Sequence, residues 1–494
     1  MRSILILLMI SFGLGPIGFA QESRVIDHLL DSLMNDYSVP SLALAIYKDG
    51  DVVYEKALGY SDRERQIKAS IHTPYQLASL SKPITATAIM QLQEKKRINI
   101  DEPFTDYSSL PLKKAQSHFE TPSIRQLLNH TSGLGTYFDI YYADEERAFT
   151  NFETSWGRYG QLFQAPGRVC EYSNLGYGLL GNIISQESGQ AFEDYLEAKI
   201  FKPLGMDNAQ LIFADGSNQK QIAQKYDHQW QPLPFVNNNT PGAGNIAASI
   251  RDVIRFAAFH LGQLPETKVL EKASILEMQQ FRDPKALYHY YENTYYGLGW
   301  YVRPDDQGKY VVWHEGGMMG ASSMLKMFPR ENLAIAILTN CYHPSLVRDL
   351  TDRLSALMLE AYKPSPLQEM AEYLPVSSDP HFLGLWQGVM NIEGQEIPVS
   401  LMIGKEDVQI RYLDIQAKSF LTDYQALPYQ TTLLFGAVNQ NYFIGTGIAT
   451  LPASHLREGL RHLFSLKLLK QGRRLRGTII HMAAAEREYY AYPY

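Results

Sequence analysis

The 494-residue sequence predicts an α+β protein in two parts, and three observations carry that prediction. Strand-like segments stand at both ends of residues 21–362 around a helical middle, so one antiparallel sheet must join distant stretches of chain beside a helical subdomain. A Pro/Ser-rich stretch over residues 363–380, "KPSPLQEMAEYLPVSSDP", reads as a linker. Beyond it, residues 381–494 change to short alternating runs between turn residues, the pattern of a small all-β barrel domain or a sandwich.

The first twenty residues, "MRSILILLMISFGLGPIGFA", combine Arg2, an apolar core from Ile4 to Leu14 and the small residues Gly18 and Ala20. They read as a secretory signal peptide cut after Ala20. An uncleaved anchor is the weaker reading, because the run is short for a bilayer and is interrupted by Gly13, Gly15, Pro16 and Gly18. The expectation is a periplasmic or secreted protein with no membrane span after signal cleavage.

Next, "VIDHLLDSLMNDY" has helical periodicity, and "SLALAIYKDGDVVYEKALGYSD" is two β-rich runs around Asp49-Gly50-Asp51, a hairpin signal. From Thr73 to about Ile200 the pattern is mostly helical, broken at "NHTSGLG", "APGRVCEYSNLGYG" and "KPLGMD". A loop, "NNNTPGAGNIAAS", leads into the helix "IRDVIRFAAFHLG". Strands return with "YGLGWYV", "YVVWHEGG", "SSMLKMFP" and "LAIAILTNC", and the helix "SLVRDLTDRLSALMLEAY" closes the first part. Within the C-terminal part the runs "EIPVSLMI", "VQIRYL", "TTLLFGAV", "YFIGTGIA", "HLFSLKLL" and "LRGTIIHM" are strand candidates.

Composition excludes some functions. A hydrophobic fraction of 45% with 12% aromatic residues suffices for real cores. A formal net charge of -7 without a long Lys/Arg run argues against a nucleic-acid partner, since phosphate binding needs a basic footprint. The two cysteines, Cys170 and Cys341, make no disulfide framework; spacing leaves a pairing open, and two free buried thiols are the expected reading. No His/Cys/Asp cluster has zinc-like spacing, so neither a metal nor an organic cofactor is expected. No Gly-x-Ser-x-Gly elbow is present, which argues against an α/β-hydrolase route.

Three short motifs carry chemistry. Ser79-x-x-Lys82 has two rivals, Ser217-x-x-Lys220 in a polar loop and Ser323-x-x-Lys326 in a strand. Only the first opens a long apolar helix, where positions three apart share a face and the helix dipole favours developing negative charge. A lysine there, desolvated, is a neutral amine beside a hydroxyl. Tyr-x-Asn occurs as Tyr172-x-Asn174 and Tyr291-x-Asn293, and His-x-Gly as His260-x-Gly262 and His314-x-Gly316. His260 is read as a polar-face or capping residue of its helix. His314 precedes Gly316-Gly317, where bare backbone can come close to a ligand, unless the glycines merely form a bulge. His130 in "NHTSG" is read as a structural loop residue bonded to backbone.

Taken in order, Ser79-x-x-Lys82, Tyr172-x-Asn174 and His314-x-Gly316-Gly317 resemble the serine β-lactamase and penicillin-binding-protein superfamily, in its branch of class C-like β-lactamases, D-stereospecific peptidases and esterases. "LLNHTSGL", "PGRVCEYSNLGYGLLG", "KPLGM" and "YGLGW" look like that family too, so the resemblance spans roughly Ile26 to Leu359. The C-terminal part, opened by Gly384-x-Trp386, resembles the lipocalin-like barrels appended to some members.

The resemblance implies a β-lactamase/transpeptidase-like domain in which Ser79 attacks a carbonyl and forms an acyl-enzyme. Lys82 or Tyr172 would take the hydroxyl proton. Asn174 would orient Lys82 and bind a substrate amide, while the N–H groups of Ser79 and Gly317 would form an oxyanion hole beside Gly316 and His314. Where many members have Lys-Thr-Gly, this chain has His314-Glu315-Gly316. If Glu315 faced the site it would repel a substrate carboxylate, which favours small-molecule esters, amides or D-amino-acid peptides over β-lactams. A β-lactamase or D-alanyl-D-alanine carboxypeptidase remains the alternative. A reading of another class is an inactive penicillin-recognising scaffold that binds cell-wall peptide or a protein partner. The sequence is silent on oligomeric state.

Overall fold

The structure, a computed structural model, describes residues 16–37 and 39–362 apart from 115–117, 136–139, 143–148, 163–164, 169, 214, 219–220, 283–292, 307 and 361; beyond these it describes 374–375, 383–392, 395–404, 408–412, 431–439, 442–450, 461–471 and 474–483. Most of the expected signal peptide, most of the linker, Lys220 and Tyr291 lie outside the described residues.

Helix α1 (Pro16–Tyr37) precedes a hairpin of β1 (Ser41–Lys48) and β2 (Asp51–Asp62). Its turn places Asp49 at φ 52° and Gly50 at φ 104°, the two left-handed residues that suit the twist of a two-residue hairpin. A short β3 (Ile67–Lys68) follows, then the helices α2 (Ser81–Glu94), α3 (Asn174–Ser188) and α4 (Ile250–His260). Five strands return: β4 (Tyr295–Tyr296), β5 (Tyr301–Asp306), β6 (Lys309–Met318), β7 (Ala321–Phe328) and β8 (Leu333–Thr339). Helix α5 (Pro344–Met358) ends this part.

These strands make one eight-stranded antiparallel sheet in the order β4-β5-β6-β7-β8-β1-β2-β3. The predicted union of distant segments is the β8–β1 pairing, with Leu333 opposite Lys48 and Thr339 opposite Leu42. β1 is buried on both faces, and its alternation sorts two cores. Leu42, Leu44 and Ile46 join Leu30 of α1 and Leu350 of α5 on one side. Ala43, Ala45 and Tyr47 join Ile89 of α2 and Phe256 of α4 on the other. Each large aliphatic chain so buried contributes about 1.5–3 kcal/mol.

One expectation is corrected and one alternative falls away. His260 is not a polar-face cap but a core residue, 1% exposed. Its Nε2 meets Thr87 Oγ1 at 3.1 Å among the rings of Phe256 and Trp300, and burial lowers its pKa to about 3. Gly316 and Gly317 form no bulge: β6 runs through them in regular register, opposite Ser323 and Ser322. Cys170 and Cys341 are both buried and form no disulfide.

The described residues of the C-terminal part lie almost entirely in strands: β9 (Gly384–Ile392), β10 (Gln395–Ile403), β11 (Val408–Tyr412), β12 (Thr431–Asn439), β13 (Tyr442–Thr450), β14 (Arg461–Gln471) and β15 (Arg474–Ala483). They pair antiparallel in chain order, a meander. Among the described residues the first and last strands do not pair, so barrel closure is not seen. No helix among the described residues is long and apolar enough to cross a membrane.

Candidate active site

Ser79 lies in a single 3-10 turn, Ala78–Leu80, that feeds directly into α2. Ala78 has φ 48°, left-handed geometry that costs a residue with a Cβ about 1–3 kcal/mol unless its surroundings enforce it. The surroundings do so from two sides. Leu77 N donates to Ile246 O at 2.8 Å, and Ser323 Oγ donates to Leu77 O at 2.6 Å. β6 presses in as well: a Cβ on Gly316 would stand 3.0 Å from Ser79 N and closer still to Leu77 O. Only a glycine permits that approach.

Lys82 is the second residue of α2, a helix buried without interruption from Ser81 to Leu92. Its side chain is wholly buried, and its Nζ donates to Ser79 Oγ at 3.1 Å and to Ala243 O at 3.0 Å. Burial pushes the amine well below its usual pKa of 10.5. The acceptor loop is tied to α2 by two further bonds, Thr85 Oγ1 to Gly242 O at 2.7 Å and Ile246 N to Ser81 Oγ at 3.2 Å. Gly242 packs against Gly181 of α3, where its Cβ would stand 3.3 Å from the Gly181 amide.

Tyr172 is held in place by His130. The carbonyl of His130 accepts from Glu171 N at 2.7 Å and its Nδ1 accepts from Ser173 N at 3.0 Å, so both neighbours of Tyr172 are fastened to one residue. The His130 ring lies 4.3 Å from the Tyr172 ring. This agrees with a structural loop histidine. The Ser79 hydroxyl is close enough to the Tyr172 phenol to act on its pKa, and the Lys82 Nζ sits 4.6 Å from the centre of the Tyr172 ring. Burial holds the phenol well above its usual pKa of 10, offset in part by the Ser79 hydroxyl and reinforced by the Glu315 charge. The phenol therefore keeps its proton at neutral pH, while the amine beside it gives up its proton more readily than an ordinary lysine.

His314 is fully buried on the face of β6 that carries Gly316. Its Nδ1 lies 2.6 Å from Glu315 O, which can only accept, so Nδ1 carries the proton; Nε2 then accepts from Tyr296 OH at 2.8 Å. Burial, with the nearby Lys82 amine, keeps the imidazole neutral. Glu315, one residue on, takes the opposite face and pairs with Arg348 Nε of α5 at 3.3 Å. The premise that Glu315 projects among the reacting groups is thus overturned, because strand alternation turns it toward α5.

Asn174 is the first residue of α3 and half-buried. It makes no hydrogen bond to Lys82; the Ala243 carbonyl takes that place. The structure therefore brings Ser79, Lys82 and Tyr172 together, sets Gly316 against Ser79, and leaves Asn174 beside the cluster. Gly317 faces Tyr342 instead, where a Cβ would stand 2.8 Å from the ring. The rival Ser323-x-x-Lys326 is split by its strand: Ser323 points at the Ser79 turn, and Lys326 points away to Asp352 at 2.8 Å.

Sequence reasoning missed four contributors. Ala243 lends only a carbonyl, which no side-chain motif reveals. Ser323 belongs to a rival Ser-x-x-Lys whose lysine takes no part, so its motif gives no sign of its own role. Tyr296, the first residue of "YGLGW", holds His314, and Tyr177 braces the same cluster by donating to Leu128 O at 2.7 Å. The family-like context of those two tyrosines was the available signal.

The profile of the family described as beta-lactamase matches residues 26–358. Protein flp of Staphylococcus aureus (strain MRSA252) is 28% identical over 364 residues, 69% of this chain and 70% of its own length. Penicillin-binding protein 4 of Amycolatopsis lactamdurans is 28% identical over 350 residues, 68% of this chain and 91% of its own. Among solved structures, the octameric penicillin-binding protein homologue from Pyrococcus abyssi aligns at 22% identity and TM-score 0.59, covering 93% of this chain and all of that one. SurE crystallised with D-Leu aligns at 20% identity and TM-score 0.65, covering 95% of this chain and 99% of that one.

Proposed function

Since the chain belongs to the beta-lactamase family, matched over residues 26–358, we propose that it is a serine hydrolase that works through an acyl-enzyme on Ser79. The supporting observation is the wholly buried Lys82 amine 3.1 Å from Ser79 Oγ. In this reading Lys82 takes the serine proton as Ser79 Oγ bonds to the substrate carbonyl carbon. Tyr172, whose phenol keeps its proton, relays one to the leaving group and is reprotonated from Lys82. Water then attacks the acyl-enzyme and restores Ser79. The Ser79 and Gly317 amides stabilise the oxyanion, and Asn174 contacts the substrate amide.

The substrate class we favour is a neutral acyl ester or a D-amino-acid amide or peptide. The support is His314: where the resembled lactamases carry the lysine of Lys-Thr-Gly, this chain has a buried neutral imidazole at that position. SurE, a fold relative, was crystallised with D-Leu, which makes D-leucyl derivatives sensible first peptides. Export rests on the first twenty residues, and the C-terminal strands would form an appended lipocalin-like barrel.

The test is intact-mass analysis after exposure to a fluorophosphonate probe, with Ser79→Ala as control. One adduct that vanishes in the variant is expected; no adduct on folded protein refutes the activated serine. Efficient turnover of a penicillin-type lactam beside a poorly cleaved acyl ester refutes the substrate class.

A further inference from the structure

Away from Ser79, the fold assembles a donor set that no spacing in the sequence announces. His228, Cys341 and His343 bring one ligand atom each within 4.8 Å of one another. His228 Nδ1 lies 2.9 Å from His343 Nε2 and 4.0 Å from Cys341 Sγ. A tetrahedral ion with metal–nitrogen bonds of about 2.0 Å and a metal–sulfur bond of about 2.3 Å needs edges of roughly 3.3 and 3.5 Å. The two edges at His228 therefore stand about 0.4–0.5 Å from that geometry, and the Cys341–His343 edge, within 4.8 Å, reaches it by a shift of at most about 1.3 Å.

The surroundings suit ligation. The His343 ring bonds to the backbone carbonyl of Tyr37, which places its proton on Nδ1 and leaves Nε2 with a lone pair toward the other donors. Cys341 is fully buried and His343 is 7% exposed, while half-buried His228 gives access from solvent. The three residues come from two segments already laid side by side, since Tyr226 N donates to Asn340 O at 3.0 Å.

We propose that His228, Cys341 and His343 form a binding site for a divalent cation of the zinc class, with water in the fourth position. Two imidazoles and a thiolate match a borderline-soft ion and not the oxygen-seeking Mg2+ or Ca2+. On binding, the Cys341 thiol loses its proton to solvent, and the His228 proton moves from Nδ1 to Nε2. The consequence reaches the hydrolase site. Cys341 and His343 flank Tyr342, whose ring abuts Gly317, and His343 N donates at 2.8 Å to Ser322, the residue opposite Gly317 in the sheet. A bound ion would pin the wall behind β6 without touching the reacting groups.

The experiment is titration of the full chain, stripped of metal, with Co2+ as spectroscopic probe. One equivalent should bind with a near-ultraviolet thiolate-to-cobalt band, Zn2+ should displace it, and the thermal midpoint should rise with Zn2+. Cys341→Ala should abolish the band. His228→Ala, at the half-buried ligand, should weaken binding by more than the roughly 10–100-fold that outer-shell changes produce. Absence of the band in folded wild type overturns the proposal, and so does a band that persists in Cys341→Ala, which would assign it to Cys170.

Discussion

Gly316 and Ser79 are in backbone contact: the missing side chain of one leaves just enough room for the amide of the other, 3.0 Å from where a Cβ would be. The strand edge thereby becomes one wall of the serine's pocket. Gly316→Ala must displace the Leu77–Ser79 turn. The expected outcome is a loss of roughly 100-fold or more in kcat/KM on an acyl ester, the scale of misplacing an oxyanion donor. Gly157→Ala, at an exposed position of the helix Phe152–Tyr159 with nothing within 4 Å of a Cβ, is the control and should be neutral or stabilising by up to about 1 kcal/mol.

Lys82 sets the pH dependence. Its folded pKa is depressed below the unfolded value of 10.5, so between the two the unfolded chain binds more protons and stability rises with pH. The same depression lets the amine act as a base below the ordinary lysine range, so kcat/KM should climb with pH through the depressed value. Lys82→Met should cut the rate by about 10²–10⁴-fold and erase the stability slope across that window. Thermal melts from pH 6 to 10, read beside initial rates, check both; a slope that survives in the variant would place the titrating group elsewhere.

Glu315→Gln separates strand parity from motif reasoning. Because its carboxylate pairs with Arg348 on the α5 side, its removal should cost at most about 1 kcal/mol and leave the ratio of lactam to ester turnover within a few-fold of wild type. A large gain in lactam hydrolysis would show that its charge acts on the substrate after all.

Tyr296→Phe removes the partner of a buried imidazole nitrogen. The expected cost is about 1–3 kcal/mol, measured by denaturant unfolding, because His314 Nε2 has no water to turn to. Activity should fall less than in Gly316→Ala, since the serine turn is held independently of this bond.

Much of the architecture was legible because local rules agree with it. Asp49-Gly50 dictates the hairpin, and the apolar run after Lys82 dictates a buried helix. The proximity of Ser79 and Lys82 follows from one helical turn. What misled was burial that depends on partners far along the chain. His260 looked like a helix cap because its hydroxyl partner, Thr87, lies 173 positions away. Glu315 looked like a specificity residue because only the sheet register and α5 reveal which way it points.

By itself the sequence determined that a serine and a lysine share a helix start, that two β-rich ends enclose a helical middle, and that an all-β part follows. Those are consequences of spacing, periodicity and composition, which act within a few residues. Tertiary structure alone decided that Ala243 supplies the carbonyl for Lys82, that Ser323 braces the serine turn, and that His228 meets Cys341 and His343. Such contacts join segments up to about 250 residues apart, and backbone carbonyls and strand faces carry no mark in a one-dimensional pattern; only close packing around the shared sheet brings them within hydrogen-bond reach.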